Sequence, residues 1–178
     1  NREVFLMFQN MIHEWFAHSC DNYNDFVKAL LLGDVDAMNE YMNRIAETTF
    51  SSFDTGMRPS KSEPERFYHG FVLGLMVELC GRYILTSNRE SGFGRYDVML
   101  EPVDPDRDDG MILEFKVFQP KKEADLTDTV QTALEQIEEK NYEASMIAKG
   151  IPKERIHKYG FAFRGKEVLI GRNSPDRP

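Results

Sequence analysis

The chain has 178 residues, 41% apolar and 29% charged, a balance that excludes a disordered or collagen-like polymer and suits one domain, or one with a small appendage. Cys20 and Cys80 follow no metal-ligand spacing and exclude a disulfide framework, and no apolar run reaches roughly 18 residues, so no membrane span and a cytoplasmic location are expected. The net charge of −8 argues against nucleic acid as a bulk property, but it hides a gradient: residues 101–148 hold 13 acids and 5 bases, residues 149–178 hold 3 and 8.

In chain order, Val4, Phe5, Phe8, Met11, Ile12, Trp15 and Phe16 recur as one helical stripe. Phe26, Val27, Leu30 and Leu31 continue that habit until Gly33, and Asp34 is placed to cap a third helix with the stripe Val35, Met38, Met42 and Ile45. The Ser-, Pro- and Gly-rich stretch Ser51 to Pro64 reads as a linker. Pro64 opens a helix to about Cys80, with Phe67, Phe71, Leu75 and Leu79 at fourfold spacing and Gly81 behind it. Strands follow at Tyr83–Ser87, Arg95–Leu100 and Met111–Phe118, then one helix from Leu126 to Lys149 ended by Gly150, then strands at Tyr159–Phe163 and Glu167–Ile170. The order α-β-β-β-α-β-β after residue 63 predicts an α/β fold, a mixed sheet flanked by helices.

The chemistry concentrates in Met111-Ile112-Leu113-Glu114-Phe115-Lys116-Val117. A period of two puts Glu114 and Lys116 on one face of an apolar strand, where buried ions need each other, a metal or an open cleft. Asp97 stands mid-strand in Arg95-Tyr96-Asp97-Val98-Met99-Leu100, a disfavoured place for Asp. A hairpin through the acidic loop 102–110 lays Asp97 beside Glu114, and a divalent cation relieves the repulsion of such a pair.

An Asp followed, after a hairpin, by Glu-x-Lys resembles the PD-(D/E)XK nuclease core, whose element order, αβββαβ, is the one read above. Phe67-Tyr68-His69-Gly70, the block Ser87 to Asp97, Glu114-Phe115-Lys116 and Gln136-Ile137-Glu138-Glu139-Lys140-Asn141-Tyr142 are similar to the PD-(D/E)XK domain at the C-terminus of bacterial AAA-ATPase-like proteins. The resemblance implies a restriction-endonuclease-like core at 59–178, preceded by a helical segment and linker at 1–58 that follow an ATPase domain of the same parent chain. No Gly-x4-Gly-Lys-Ser/Thr phosphate loop occurs, so ATP hydrolysis is not carried over. Tyr96 stands where Pro precedes the Asp of the founding motif.

The resemblance further implies a nuclease acting on DNA with Mg²⁺ (or Mn²⁺), the ion held by Asp97, Glu114 and the Phe115 carbonyl, with Lys116 orienting water and offsetting charge on the phosphate. Such folds send an acid or a His from their first helix toward the metal, a place open to Glu65 or His69, with Glu78 a weaker candidate. Gln136 resembles a later-helix position that reaches the site, and Lys140 and Tyr142 beyond it are candidate substrate contacts. Arg95 shares the strand face of Asp97 and could meet a phosphate. His13, His18 and His157 have no ligand-like partners at useful spacing and read as surface or packing residues. The basic residues Lys149, Lys153, Arg155, Lys158, Arg164, Lys166 and Arg172, or the surroundings of Arg89 and Arg95, are the expected nucleic-acid face. A second class of function stands beside the enzyme: a non-catalytic nuclease-fold module that serves an ATPase as an interaction or regulatory domain.

Overall fold

The computed structural model describes residues 23–49, 63–91 and 94–173, excluding the side chains at 49, 63–66, 88–91 and 94–96. The expected stripe from Val4 to Phe16 and most of the linker lie outside these residues. The described residues up to 78, with 165–168, form one compact unit, and those from 79 to 164, with 169–173, another.

In the first unit, Asn24 caps α1 (Asp25–Leu32) by accepting the Val27 N–H at 3.0 Å. Gly33, at φ 66°, ends it, with the Asp34 N–H on the Ala29 carbonyl at 2.9 Å. Asp34 then caps α2 (Val35–Thr49) through the Ala37 N–H, as its side chain predicts. The face that α2 buries is Met38, Tyr41, Met42 and Ala46; Val35 and Ile45 are half-buried flanks, so the stripe is turned slightly from the expected one. The next helix, α3 (Glu63–Leu75), tightens into a 3₁₀ turn at Met76–Leu79 rather than staying α-helical to Cys80. Asn24 supports that ending: its amide donates to the Leu75 carbonyl at 2.8 Å, and its N–H donates to the Glu78 carboxylate at 2.8 Å.

The second unit carries the sheet: β1 (Tyr83–Ser91), β2 (Gly94–Pro102), β3 (Gly110–Val117), β4 (Ile156–Arg164) and β5 (Glu167–Arg172), in spatial order β1-β2-β3-β4-β5. Short connections make β1, β2 and β3 antiparallel neighbours, whereas β4 returns through a helical crossover and pairs parallel with β3. The sheet is therefore mixed and flanked by helices, the architecture expected.

The crossover corrects one expectation. The helix read as Leu126–Lys149 is two, α4 (Leu126–Glu139) and α5 (Ala144–Ala148), and the N-cap of α4 is Asp125, which accepts the Thr127 N–H at 2.8 Å. Asn141 makes the break. At φ 50° it is the one non-glycine residue with positive φ among those described, its N–H bonds the Glu138 carbonyl at 3.0 Å, and the Tyr142 N–H bonds the Ile137 carbonyl at 3.3 Å. These two bonds are a Schellman turn with Asn in place of the usual Gly. Tyr142 is thereby folded into a core with Met99, Ile112, Val130, Leu134, Ile137 and Met146 between the sheet and its crossover. On the opposite sheet face Phe115 meets Phe161 and Phe163 at ring-centroid distances of 5.0 and 6.0 Å.

The charge gradient also folds up differently from its reading in sequence. Lys149 pairs with Glu101 at 2.6 Å, Lys153 with Glu143 at 3.5 Å, Arg155 with Asp109 at 2.7 Å, and Lys158 with Glu138 and Glu143 at 2.7 and 2.8 Å. These four cations lie against acids of the 101–143 stretch. Lys158 and Glu143 are buried together, so neither reaches solvent as a free charge. His157, read as a surface or packing residue, meets Asp109 at 2.8 Å. Burial opposes ionisation of Asp109, but hydrogen bonds from His157 and Arg155 outweigh it and lower its pKa. Among the described residues no helix is long and apolar enough to cross a membrane.

Candidate active site

The site grows from the pairing of β2 with β3. Their register matches Leu100 with Met111, Met99 with Ile112 and Val98 with Leu113, which brings Asp97 level with Glu114. There the Asp97 carboxylate accepts the Phe115 N–H at 2.8 Å. A side chain at the end of the paired register thus takes up a β3 backbone donor and is anchored one residue from Glu114. Alternation along β3 puts Glu114 and Lys116 on the face of Ile112, toward α4, and Phe115 on the other.

Glu114 is 1% exposed. Its Oε1 accepts the Lys116 ammonium at 2.9 Å and also the Gln136 amide, whose nitrogen donates to the Tyr142 hydroxyl at 3.1 Å as well. Both hydrogens of the Gln136 amide are thus engaged, which fixes the amide with its nitrogen toward the carboxylate. Its other oxygen, Oε2, is buried with no hydrogen bond. Burial, and then the charge of Asp97, push the Glu114 carboxyl up from 4.5 to about 7, against the pull of Lys116. Burial likewise raises the Tyr142 phenol, although the Gln136 hydrogen bond works against it.

Gly160 completes this wall. In the parallel register it stands beside Glu114, and a Cβ there would come 2.7 Å from the Val130 carbonyl oxygen and 3.1 Å from Ala133 Cβ. Helix α4 can therefore lie against the strand backbone, close enough for Gln136 to reach Glu114. Sequence reading passed over Gly160, although a Gly inside an apolar strand is itself a sign of close backbone approach.

The structure thus brings together Asp97, Glu114, Lys116, Gln136 and Tyr142. Lys140 caps the end of α4, half-buried, and with Lys121 and Lys122 on the loop after β3 it pairs with no carboxylate among the described residues. Arg95 lies in β2 opposite Glu90, and its side chain is outside the described residues. Glu65 and His69 belong to α3 in the first unit; the Glu65 side chain is not described, and His69 is half-buried. Glu78 is engaged with Asn24.

Among the described residues no group of three or more His, Cys, Asp or Glu forms, so Asp97 and Glu114 stand as a pair. Two adjacent carboxylates, one with a buried oxygen that no hydrogen satisfies, fit a small hard cation with oxygen ligands. No curated protein and no solved structure matches the chain. A family profile described as PD-(D/E)XK nuclease superfamily matches residues 63–173, a span that runs from α3 through the last strand and includes Asp97, Glu114 and Lys116. With well over half of its length matched, and a mixed sheet that sets an Asp beside a Glu-x-Lys strand, the chain belongs to the PD-(D/E)XK nuclease superfamily.

Proposed function

We propose that the chain is a Mg²⁺- or Mn²⁺-dependent nuclease that hydrolyses phosphodiester bonds of DNA in the cytoplasm, as the C-terminal module of an AAA-ATPase-like protein. The observation that carries this reading is the unsatisfied Glu114 Oε2, buried beside Asp97 while a Lys and a Gln occupy the other oxygen. Asp97, Glu114 and the Phe115 carbonyl would hold the ion, which, when bound, supplies positive charge for the phosphate and acidity for a water. Lys116 contributes a point charge at the mouth of the site, its side chain 22% exposed, where it can offset the negative charge that gathers on a phosphate under attack. Gln136 and Tyr142 hold the Glu114 carboxylate in one orientation. Glu65 or His69 is the proposed further ligand from α3, and Arg95 and Lys140 are the proposed substrate contacts; Tyr142, expected as a third, is 1% exposed in the core and supports Gln136 instead. Lys121, Lys122 and Lys140, which pair with no carboxylate among the described residues, support a polyanionic substrate despite the net charge of −8.

The test is incubation of the chain with single-stranded, duplex and branched DNA, and with RNA, in Mg²⁺ and in Mn²⁺, beside Asp97→Asn and Lys116→Ala. Cleavage by the wild type, lost in both variants, supports the enzyme. A folded wild type that leaves every substrate intact, also within the full-length parent protein, supports instead the non-catalytic module.

A further inference from the structure

We infer that Asn141 is a positioning residue for the site, through the left-handed turn it forms at the end of α4. The inference rests on the proposed metal role of Glu114. The chain of contacts is continuous within one unit. Asn141, at φ 50°, closes the Schellman turn; the turn reverses the backbone so that Tyr142 points back along α4; the Tyr142 hydroxyl accepts one hydrogen of the Gln136 amide at 3.1 Å; and the same nitrogen donates its other hydrogen to Glu114 Oε1. With Oε1 held by Gln136 and by Lys116 at 2.9 Å, Oε2 is the oxygen left for an incoming cation. Had α4 continued as a helix through residue 141, Tyr142 would stand six residues beyond Gln136, most of two turns away, and its hydroxyl would not meet that amide.

The residue type suits the task. Asn tolerates the left-handed region, Gly adopts it freely, and a β-branched side chain is a steric outlier there. Asn141 thus works through backbone conformation rather than through contact with metal or substrate. Partners that orient a ligand from behind typically change metal affinity by 10–100-fold when they are lost.

The experiment compares Asn141→Gly, Asn141→Ala and Asn141→Val with the wild type. The first readout is independent of metal and of activity: the side-chain amide resonances of Gln136 in a ¹⁵N–¹H spectrum, assigned with Gln136→Ala. They should be dispersed and protected from solvent exchange in the wild type and Asn141→Gly, and should move to the exposed position in Asn141→Val, with Tyr142→Phe showing partial loss. The second is Mn²⁺ affinity by calorimetry, expected within about twofold of wild type for Asn141→Gly and at least about 10-fold weaker for Asn141→Val. If Asn141→Val does not fold, the milder Asn141→Ala serves for both. Gln136 resonances and Mn²⁺ affinity unchanged in a folded Asn141→Val or Asn141→Ala would overturn the inference, because a purely structural role lowers only the melting temperature. A wild type that binds no Mn²⁺ defeats the metal reading of Glu114, while the Gln136 spectra still decide whether Asn141 positions it.

Discussion

Gly160 lies beside Glu114 across the parallel β3–β4 pairing, and the backbone of α4 occupies the space a side chain at 160 would need. Gly160→Ala must push the Val130 carbonyl away from a 2.7 Å contact, and backbone cannot yield as a side chain tip can. Overpacking of this kind costs about 1–3 kcal/mol. A urea titration should show that loss, and cleavage should fall because the displaced helix draws Gln136 off Glu114. An unchanged midpoint would mean that α4 does not rest on this strand.

Glu114 makes stability depend on pH in an unusual direction. Its folded-state pKa is raised from 4.5 to about 7, so the folded protein holds a proton that the unfolded chain has already released. Stability from this group therefore declines as pH rises from about 4.5 to about 7 and is level above that, with a ceiling of about 3 kcal/mol. Glu114→Gln should abolish the decline and be the more stable protein at pH 8. The comparison belongs above pH 5, since Asp108 and Asp109, whose pKa values are lowered, lose their own contribution only in stronger acid.

The same proton bears on metal. Mn²⁺ affinity should rise with pH up to about 7 and then level, as the ion displaces the proton from Glu114. Calorimetry in buffers of different ionisation enthalpy measures that release directly. A flat affinity between pH 5 and 8 would remove Glu114 from the ligand set.

Lys116→Ala should reduce cleavage by on the order of 10²-fold or more while leaving the fold intact. Asp97→Asn keeps an oxygen to accept the Phe115 N–H at 2.8 Å, so the strand pair survives; it removes a like charge beside Glu114 and should match or exceed wild-type thermal stability with activity lost. Melting curves run beside the cleavage assay separate the two effects.

Basic residues divide into structural and available ones. Lys158→Ala leaves the buried Glu143 with only Lys153, at 3.5 Å, and should cost at most about 3–5 kcal/mol, with the salt dependence of DNA binding unchanged in whatever remains folded. Reversing Lys121 and Lys122 to Glu should leave stability alone and lower the salt slope by about 2. The opposite pattern would return the phosphate contacts to the C-terminal stretch.

Local chemistry was legible in the residues themselves. Alternation in 111–117 placed Glu114 and Lys116 on one face, and a mid-strand Asp97 marked its partner, because a two-residue period and a short hairpin leave little freedom. The break at Asn141 was not legible, since apolar residues continue on both sides of it and Asn is unremarkable in either a helix or a turn. Pairing of Lys158 with Glu143, or of Arg155 with Asp109, depends on which strands become neighbours, and composition holds no trace of that. In α2, Tyr41 and Ala46 are buried where Val35 and Ile45 were expected to be, a rotation smaller than one residue step that hydrophobicity alone does not resolve.

The parallel pairing of β3 with β4 sets an order of events during synthesis. Asp97 and Glu114 are joined by a hairpin and can meet as soon as β3 leaves the ribosome, whereas the strand that walls Glu114 on its other side begins only at Ile156. Without that strand the wall beside Glu114 is incomplete, and so is the burial that raises its carboxyl. A chain ending before Ile156 would keep the Asp97–Glu114 neighbours and the helix that bears Gln136 but lack the Gly160 wall.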